Sequence, residues 1–360
     1  FGQGIFPGFF YLKHLKMKVK NQVYKTVWME DGRVVMVDQN LIPFEFKIVS
    51  SPDCDQTCQH IKIMTVRGAG AIGAAAAFAM VQAINEAPQN KVLEYVSEKK
   101  EQIENTRPTA RNLFQATQLV FDAFLKSKND AFKAAQKIWE TNQQDALEIG
   151  KFGAELISNG MGILTHCNAG WLGFVDYGSA LSPIYYANRQ GKKVKVFADE
   201  TRPRLQGARL TAWELHNEGI EHCIIPDNAS AYFMMQGKIQ LVITGADRIA
   251  ANGDTANKIG TLEKAILAKE FGIPFYIAAP GSTFDTSCSD GSKIEIEFRD
   301  PEEVSHFTGP DKDGVLHKIQ VSNPGSVAVN PGFDVTPFRY ISGYITEKGI
   351  IKAGEVRSYF

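Results

Sequence analysis

The stretch LVITGADRIAANGDTANKIGTLEKAILAKEFGIPFYIAAP, residues 241–280, decides the reading of the fold. LVITGAD (241–247) and PFYIAAP (274–280) are short apolar runs of strand type, and NKIGTLEKAILAKEFG (257–272) between them has a helical pattern. Strand, helix, strand in that order predicts a right-handed βαβ unit with parallel strands buried on both faces. The same alternation extends upstream. ILTHC (163–167), KVKVFAD (193–199) and HCIIPD (222–227) read as strands. YGSALSPIYYANRQG (177–191), LQGARLTAWELHNEG (205–219) and ASAYFMMQG (229–237) read as the helices between them. In the second of these Leu205, Ala208, Ala212 and Leu215 share one face, and Gly219 supplies a C-cap. The expectation is an α/β fold whose C-terminal domain is a Rossmann-like, doubly wound parallel sheet.

Working toward the N-terminus, the texture changes. RVVMVDQ (33–39) and PFEFKIV (43–49) are β-rich runs. Between 71 and 157 the pattern is helical, in AIGAAAAFAMVQAI (71–84), VLEYVSEKKEQIENT (92–106), ARNLFQATQLVFDAFLK (110–126) and a long run from Asp130. Leu113, Ala116, Leu119, Val120 and Phe124 form an apolar face in the third of these, which Pro108 precedes. We therefore expect an N-terminal α+β domain over 17–135 and a catalytic Rossmann-like domain over 136–360. Residues 1–16, FGQGIFPGFFYLKHLK, lack a small-residue cleavage pattern and precede Met17. They read as an upstream extension or expression remnant rather than a signal peptide.

The totals narrow the function classes. A chain of 360 residues with 44% hydrophobic and 22% charged residues has the composition of a globular protein. A formal charge of −1 argues against nucleic acid or anionic membrane as a partner, while leaving room for a local basic pocket. The longest uncharged apolar run, 68–81, is too short to span a bilayer. Five cysteines (Cys54, Cys58, Cys167, Cys223, Cys288) are too few and unevenly placed for a disulfide framework, which favours the cytoplasm. Cys54 and Cys58 lack a second pair at zinc-site spacing, so no metal is expected.

In a doubly wound sheet, ligands bind at the carboxyl ends of the strands. HCNAG (166–170), DETRP (199–203), DNAS (227–230) and GADRIAANGD (245–254) all fall at such ends. Cys167 beside a helix start would gain thiolate character, against the alternative of an inert buried thiol. Asp247 in an apolar crevice would hold a proton for general acid work, against the alternative of a helix cap. Asp254 is the stronger cap candidate, which would put Asn257 and Lys258 in the first turn of the following helix. A lysine at that positive helix end makes sense if an anion lies there too. In TVRGAGAIGAAAAF (65–78) the glycines match G-x-G-x-x-G. The preceding Arg67, and the lack of an acidic residue some twenty positions on in a βαβ context, favour a phosphate cradle over a dinucleotide site. Arg107, in TRPTARN (106–112), is a second cation at a helix start. His166 and Cys167 are adjacent in a strand and should face opposite ways, which disfavours a Cys–His pair. No H-E-x-x-H, G-x-S-x-G or Walker-type motif occurs.

Together VRGAGAIG (66–73), RPTARNL (107–113), THCNAG (165–170), ADETRPRLQGARLTAWEL (198–215), GADRIAANGDTANKIGT (245–261), GIPFYIAAPGSTFD (272–285) and NPGFDVTPFRYISGYITEKG (330–349) resemble the methylthioribose-1-phosphate isomerase family of methionine salvage. The wider superfamily includes ribose-1,5-bisphosphate isomerases and non-catalytic subunits of a translation-initiation exchange factor. The resemblance implies an aldose–ketose isomerase acting on a sugar 1-phosphate, with 5-deoxyribose 1-phosphate or ribose 1,5-bisphosphate as alternative substrates. It implies Cys167 and Asp247 as the catalytic pair. Arg67, Gly68, Ala69, Arg107, Gln206, Asn257 and Lys258 would bind substrate, without cofactor or metal, in a homodimer. Gly70 stands where the family usually has proline, Arg111 replaces an apolar residue, and Trp171 and Phe174 replace smaller ones. The segment 305–323 is longer and more polar than the family pattern. The rival reading is a regulatory subunit that binds sugar phosphates or nucleotides without turnover; intact Cys167 and Asp247 weigh against it.

Overall fold

The computed structural model describes residues 17–20, 22–108 and 110–359; the expected extension at 1–16 lies outside them. After the antiparallel pair Lys18–Val19 and Gln22–Val23 come three antiparallel strands, Val27–Glu30, Arg33–Val37 and Ile48–Ser51. Pairing of the third starts at Ile48 rather than Pro43, because residues 41–44 form a turn first. Five helices follow: α1 (Cys54–Lys62), α2 (Ala69–Glu86), α3 (Val92–Glu104), α4 (Arg111–Phe124) and α5 (Lys128–Gly153). Asp53 and Ser127 cap α1 and α5 by accepting from the N–H groups of Gln56 and Asp130. α2 is apolar all round and buried from Gly70 to Ile84, as a helix without a polar face must be. On α4 the buried face is Leu113, Ala116, Thr117 and Val120, while Leu119 is exposed rather than on that face. The expected domain limit at 135 falls inside α5, one continuous helix. Its Ala131 and Ala135 join the core around α2, and its Ala146 and Ile149 join a core on the large sheet.

That sheet has seven strands in the spatial order Glu221–Ile225, Lys195–Asp199, Gly162–Thr165, Leu241–Thr244, Phe275–Ala278, Gly343–Thr346, Gly349–Lys352. All neighbours pair in parallel except the final hairpin. Numbered along the chain the order is 3-2-1-4-5-6-7, so the direction of winding reverses between Gly162–Thr165 and Leu241–Thr244, where a doubly wound sheet opens a crevice. Alternation along the strands feeds two cores. Ile163, Val196, Leu241 and Ile243 pack on one face; Leu164, Phe197, Val242 and Ile277 pack on the other.

A second, four-stranded sheet was not expected from the sequence. Its order is Phe284–Asp285, Arg248–Ala250, Thr255–Lys258, Phe333–Thr336. Asn257 and Lys258 therefore end a strand, opposite Asp334 and Phe333, and do not begin a helix. The helix starts at Thr261 behind Gly260, whose φ is +102° and which offers no side-chain cap. Asp254 is not the cap either: its carboxylate accepts from the N–H groups of Gly291 (3.0 Å) and Phe338 (2.9 Å). Among the described residues no helix is long and apolar enough to cross a membrane.

Candidate active site

A cavity of about 500 Å³ lies at the winding reversal. Its walls come from the starts of α2 and α4, the ends of Gly162–Thr165 and Leu241–Thr244, and the second sheet. Cys167, Asp247, Arg67, Gly68, Ala69, Arg107, Asn257 and Lys258 all line it. Gln206 does not: it is buried at the head of a π-helical stretch, Gly207–Thr211, with its Oε1 unpartnered. Sequence reasoning missed Arg299 and Phe333, which also line the cavity.

Cys167 leaves its strand in a left-handed conformation, φ +63°, which a non-glycine residue adopts only when its surroundings impose it. Here its N–H donates to Thr201 Oγ1 at 2.9 Å and its carbonyl accepts from Thr211 Oγ1 at 2.7 Å. Arg67 stands against the Cys167 sulfur. Burial lowers the arginine from its ordinary value, and Cys167 partly offsets that effect. The His166 ring is engaged elsewhere, its Nδ1 with Asp199 Oδ2 at 2.9 Å and its Nε2 with the Ile259 carbonyl at 2.8 Å. His166, Asp199 and Asp227 have the donor types of a metal site. Their lone pairs are already used: Asp227 accepts from the Thr201 and Arg202 N–H groups, Ser230 donates to Asp199, and the buried Lys264 ammonium lies 3.6 Å from Asp199. The donor set fits that ammonium better than an added ion.

Beyond Cys167 the loop runs over Glu214, which is fully buried. Its carboxylate accepts from Asn168 Nδ2 (2.8 Å), the Trp171 N–H (2.8 Å) and the Tyr185 hydroxyl (2.6 Å). Burial nevertheless pushes this acid up to about 7. The same loop needs Gly68: with φ +88°, a Cβ there would fall 2.3 Å from Gly173 Cα. The contact aims the uncapped N-terminus of α2 at the cavity, where free N–H groups and the helix dipole favour an anion.

Asp247 opens onto the cavity, yet protein encloses the cavity behind it, and that enclosure governs its charge. Burial raises the carboxyl from its usual range, against the lowering pull of Lys258, Arg299, Arg107 and Arg67. The cations depress one another. Burial and then Arg299 bring Lys258 down to about 8, and burial and then Arg299 lower Arg107. Four cations around one carboxyl group whose pKa burial raises make an arrangement suited to an anion, with an acid beside it.

Residues 65–353 match the initiation factor 2 subunit family. The chain is 45% identical to a methylthioribose-1-phosphate isomerase of Sulfurimonas denitrificans over 94% of this chain and 98% of that one. It is 46% identical to a 5-deoxyribose 1-phosphate isomerase of Moorella thermoacetica over 89% and 92% of the two chains. Among solved structures it is similar to the 5-methylthioribose 1-phosphate isomerase of Pyrococcus horikoshii, with a TM-score of 0.84 and 38% identity over 94% and 95% of the chains.

Proposed function

The chain belongs to the initiation factor 2 subunit family and, within it, to the methylthioribose-1-phosphate isomerases, and from that premise we propose that it converts 5-methylthioribose 1-phosphate to 5-methylthioribulose 1-phosphate. The observation that carries the reading is the placement of Cys167 and Asp247 just beyond the ends of two neighbouring parallel strands, on one cavity with the four cations.

C1 of the substrate is locked as a phosphate acetal, so the ring must open before hydrogen can move. Asp247, whose carboxyl the enclosed cavity raises above its ordinary value, gives its proton to the ring oxygen as the bond from C1 to that oxygen breaks. The electron pair of that bond leaves with the oxygen, and C1 becomes an oxocarbenium carbon. In a hydride shift, the C2 hydrogen then moves to C1 with its electron pair, and the C2 hydroxyl gives its proton back to Asp247 as the ketone forms. In an enediol-type route a base takes the C2 hydrogen as a proton and C1 is reprotonated. Cys167 stabilises the developing charge in the first route and supplies the base in the second. Arg67, Arg107, Lys258, the α2 N-terminus and Asn257 hold the phosphate. Neither route calls for a metal or nicotinamide.

The functional division we propose is an N-terminal part that contributes Arg67 and Arg107, and a catalytic part from 136 onward, with α5 shared. A cytoplasmic homodimer fits this reading and the five unpaired cysteines. The similarity to a 5-deoxyribose 1-phosphate isomerase keeps that sugar as a second substrate candidate. The deciding experiment compares turnover of 5-methylthioribose 1-phosphate, 5-deoxyribose 1-phosphate and ribose 1,5-bisphosphate. No turnover of any of the three would leave a binding subunit as the reading.

A further inference from the structure

Arg299 is held in a way that its own neighbours do not account for. Its side chain is only 10% exposed, and its Nε is buried without a hydrogen-bond partner. Glu297, its ion-pair neighbour, stands at 3.4 Å, a long contact for a guanidinium and a carboxylate. The backbone makes this arrangement. The Arg299 N–H donates to the Asn330 carbonyl at 2.8 Å and the Gly332 N–H donates to the Glu297 carbonyl at 2.8 Å, so 297–299 and 330–332 lie side by side. A Cβ at Gly332 would fall 3.0 Å from Arg299 Nε and 3.4 Å from its Cδ, so the guanidinium occupies the space that a side chain would take.

The same glycine holds a second cation, because its carbonyl accepts from Lys258 Nζ at 2.7 Å. Both cations then share one ring. Lys258 Nζ is 4.5 Å, and Arg299 Cζ 5.2 Å, from the Phe333 centroid. A ring face attracts each cation, but it does not remove the repulsion between them. Two like charges fixed by one glycine and one phenylalanine, with a guanidinium N–H unsatisfied, are complementary to an anion that accepts from both.

We propose that Arg299 is a substrate-binding residue that works with Lys258 as a two-pronged clamp on the phosphate, Gly332 and Phe333 setting the spacing. The inference rests on reading the cavity as a sugar-phosphate site. Arg299 supplies a planar fork for two phosphate oxygens and Lys258 a point charge for a third.

The test uses inorganic phosphate as the probe, titrated calorimetrically into the parent, Arg299→Gln, Arg299→Lys and Gly332→Ala, with KM and kcat measured for the sugar 1-phosphate and unfolding midpoints checked. Arg299→Gln should weaken phosphate binding about tenfold to a hundredfold, and raise KM more than it lowers kcat. Arg299→Lys should recover part of the loss, since charge returns without the fork. Gly332→Ala should weaken binding in the same direction with every charge retained, which keeps the test decisive if Arg299→Gln folds poorly. Equal phosphate affinity in the parent and Arg299→Gln would overturn the clamp and leave the isomerase reading standing. A parent that binds phosphate but turns over no sugar 1-phosphate would sink the isomerase reading, and loss of that binding in Arg299→Gln would still establish the clamp.

Discussion

Asp247 faces Lys258, Arg299, Arg107 and Arg67, and its carboxyl still lies above the usual carboxylate range because the site is enclosed. If that proton starts ring opening, Asp247→Asn should lower kcat by ~10²–10⁴ while KM stays within a few-fold. Cys167→Ser exchanges a thiol for a hydroxyl that does not ionise in the working range, and should lose a comparable factor. Single-turnover rates and unfolding midpoints on the same preparations check both; a variant within about threefold of the parent rate removes that residue from the chemistry. Lys258 sets a second expectation. Below about 8 its ammonium is charged and holds the anion; as pH rises through that value the charge is lost, so KM should climb, by ~tenfold near pH 9. Lys258→Arg keeps its charge and should flatten that limb. An unchanged limb in Lys258→Arg would assign it to another group. At this scale the lining of the cavity was legible: a Cys and an Asp at strand ends, and arginines before helices, all face it, while pairing Cys167 with Asp247 came from the family resemblance. Arg299 was not legible, because its role depends on Gly332 and Phe333, more than thirty residues away in sequence.

Among the elements, the start of α2 and the loop after Cys167 were shaped together. A Cβ on Gly70 would meet Asn142 Nδ2 at 2.4 Å and Phe174 Cδ1 at 2.9 Å. Asn142 cannot turn away freely, since its Oδ1 accepts from the Val175 N–H at 2.7 Å. Two of the departures from the family pattern, a glycine for proline and a bulky Phe174, thus occupy one space. Gly70→Ala should destabilise by ~1–3 kcal/mol through overpacking, and the penalty should shrink by about 1 kcal/mol in a Phe174→Ala background. Urea unfolding of the four proteins closes the cycle; an identical Gly70→Ala cost in both backgrounds would show that Phe174 does not set the space. The large sheet was readable because its strands are apolar runs with a two-residue alternation. The second sheet was not. Its strands are two to four residues long, and the Thr255–Lys258 strand pairs with Phe333–Thr336, far along the chain. Asn257 and Lys258 were assigned to a helix by taking Asp254 as its cap, and tertiary pairing overrode it.

In the whole molecule a chain of net charge −1 gathers Arg67, Arg107, Lys258 and Arg299 at one crevice between its N-terminal helices and its C-terminal sheets, so the two parts must be held at a fixed distance for the site to exist. Asp285 is placed to do this. It is almost fully buried in the second sheet, pairs with Arg111 of α4 and with Arg248, whose Nε lies at 2.9 Å, and accepts from Ser287 Oγ at 2.5 Å. Arg111 and Arg248 are each about one-third exposed, so water screens them and the buried carboxylate carries the larger stake. The two ends of this bridge should therefore respond unequally. Arg111→Ala leaves Asp285 paired with Arg248 and Ser287, and should cost about 1 kcal/mol or less. Asp285→Asn leaves two arginines facing each other without a counter-charge across the joint, and should cost a few kcal/mol, toward the lower end of the ~3–5 expected for breaking a buried pair. It should also raise KM, because α4 follows directly on Arg107, which we propose binds the phosphate. Urea unfolding with KM on the same preparations measures both effects. Should Arg111→Ala prove as damaging as Asp285→Asn, the joint would depend on the arginine's packing on α4, and the carboxylate would lose its place as the fixed point between the two parts.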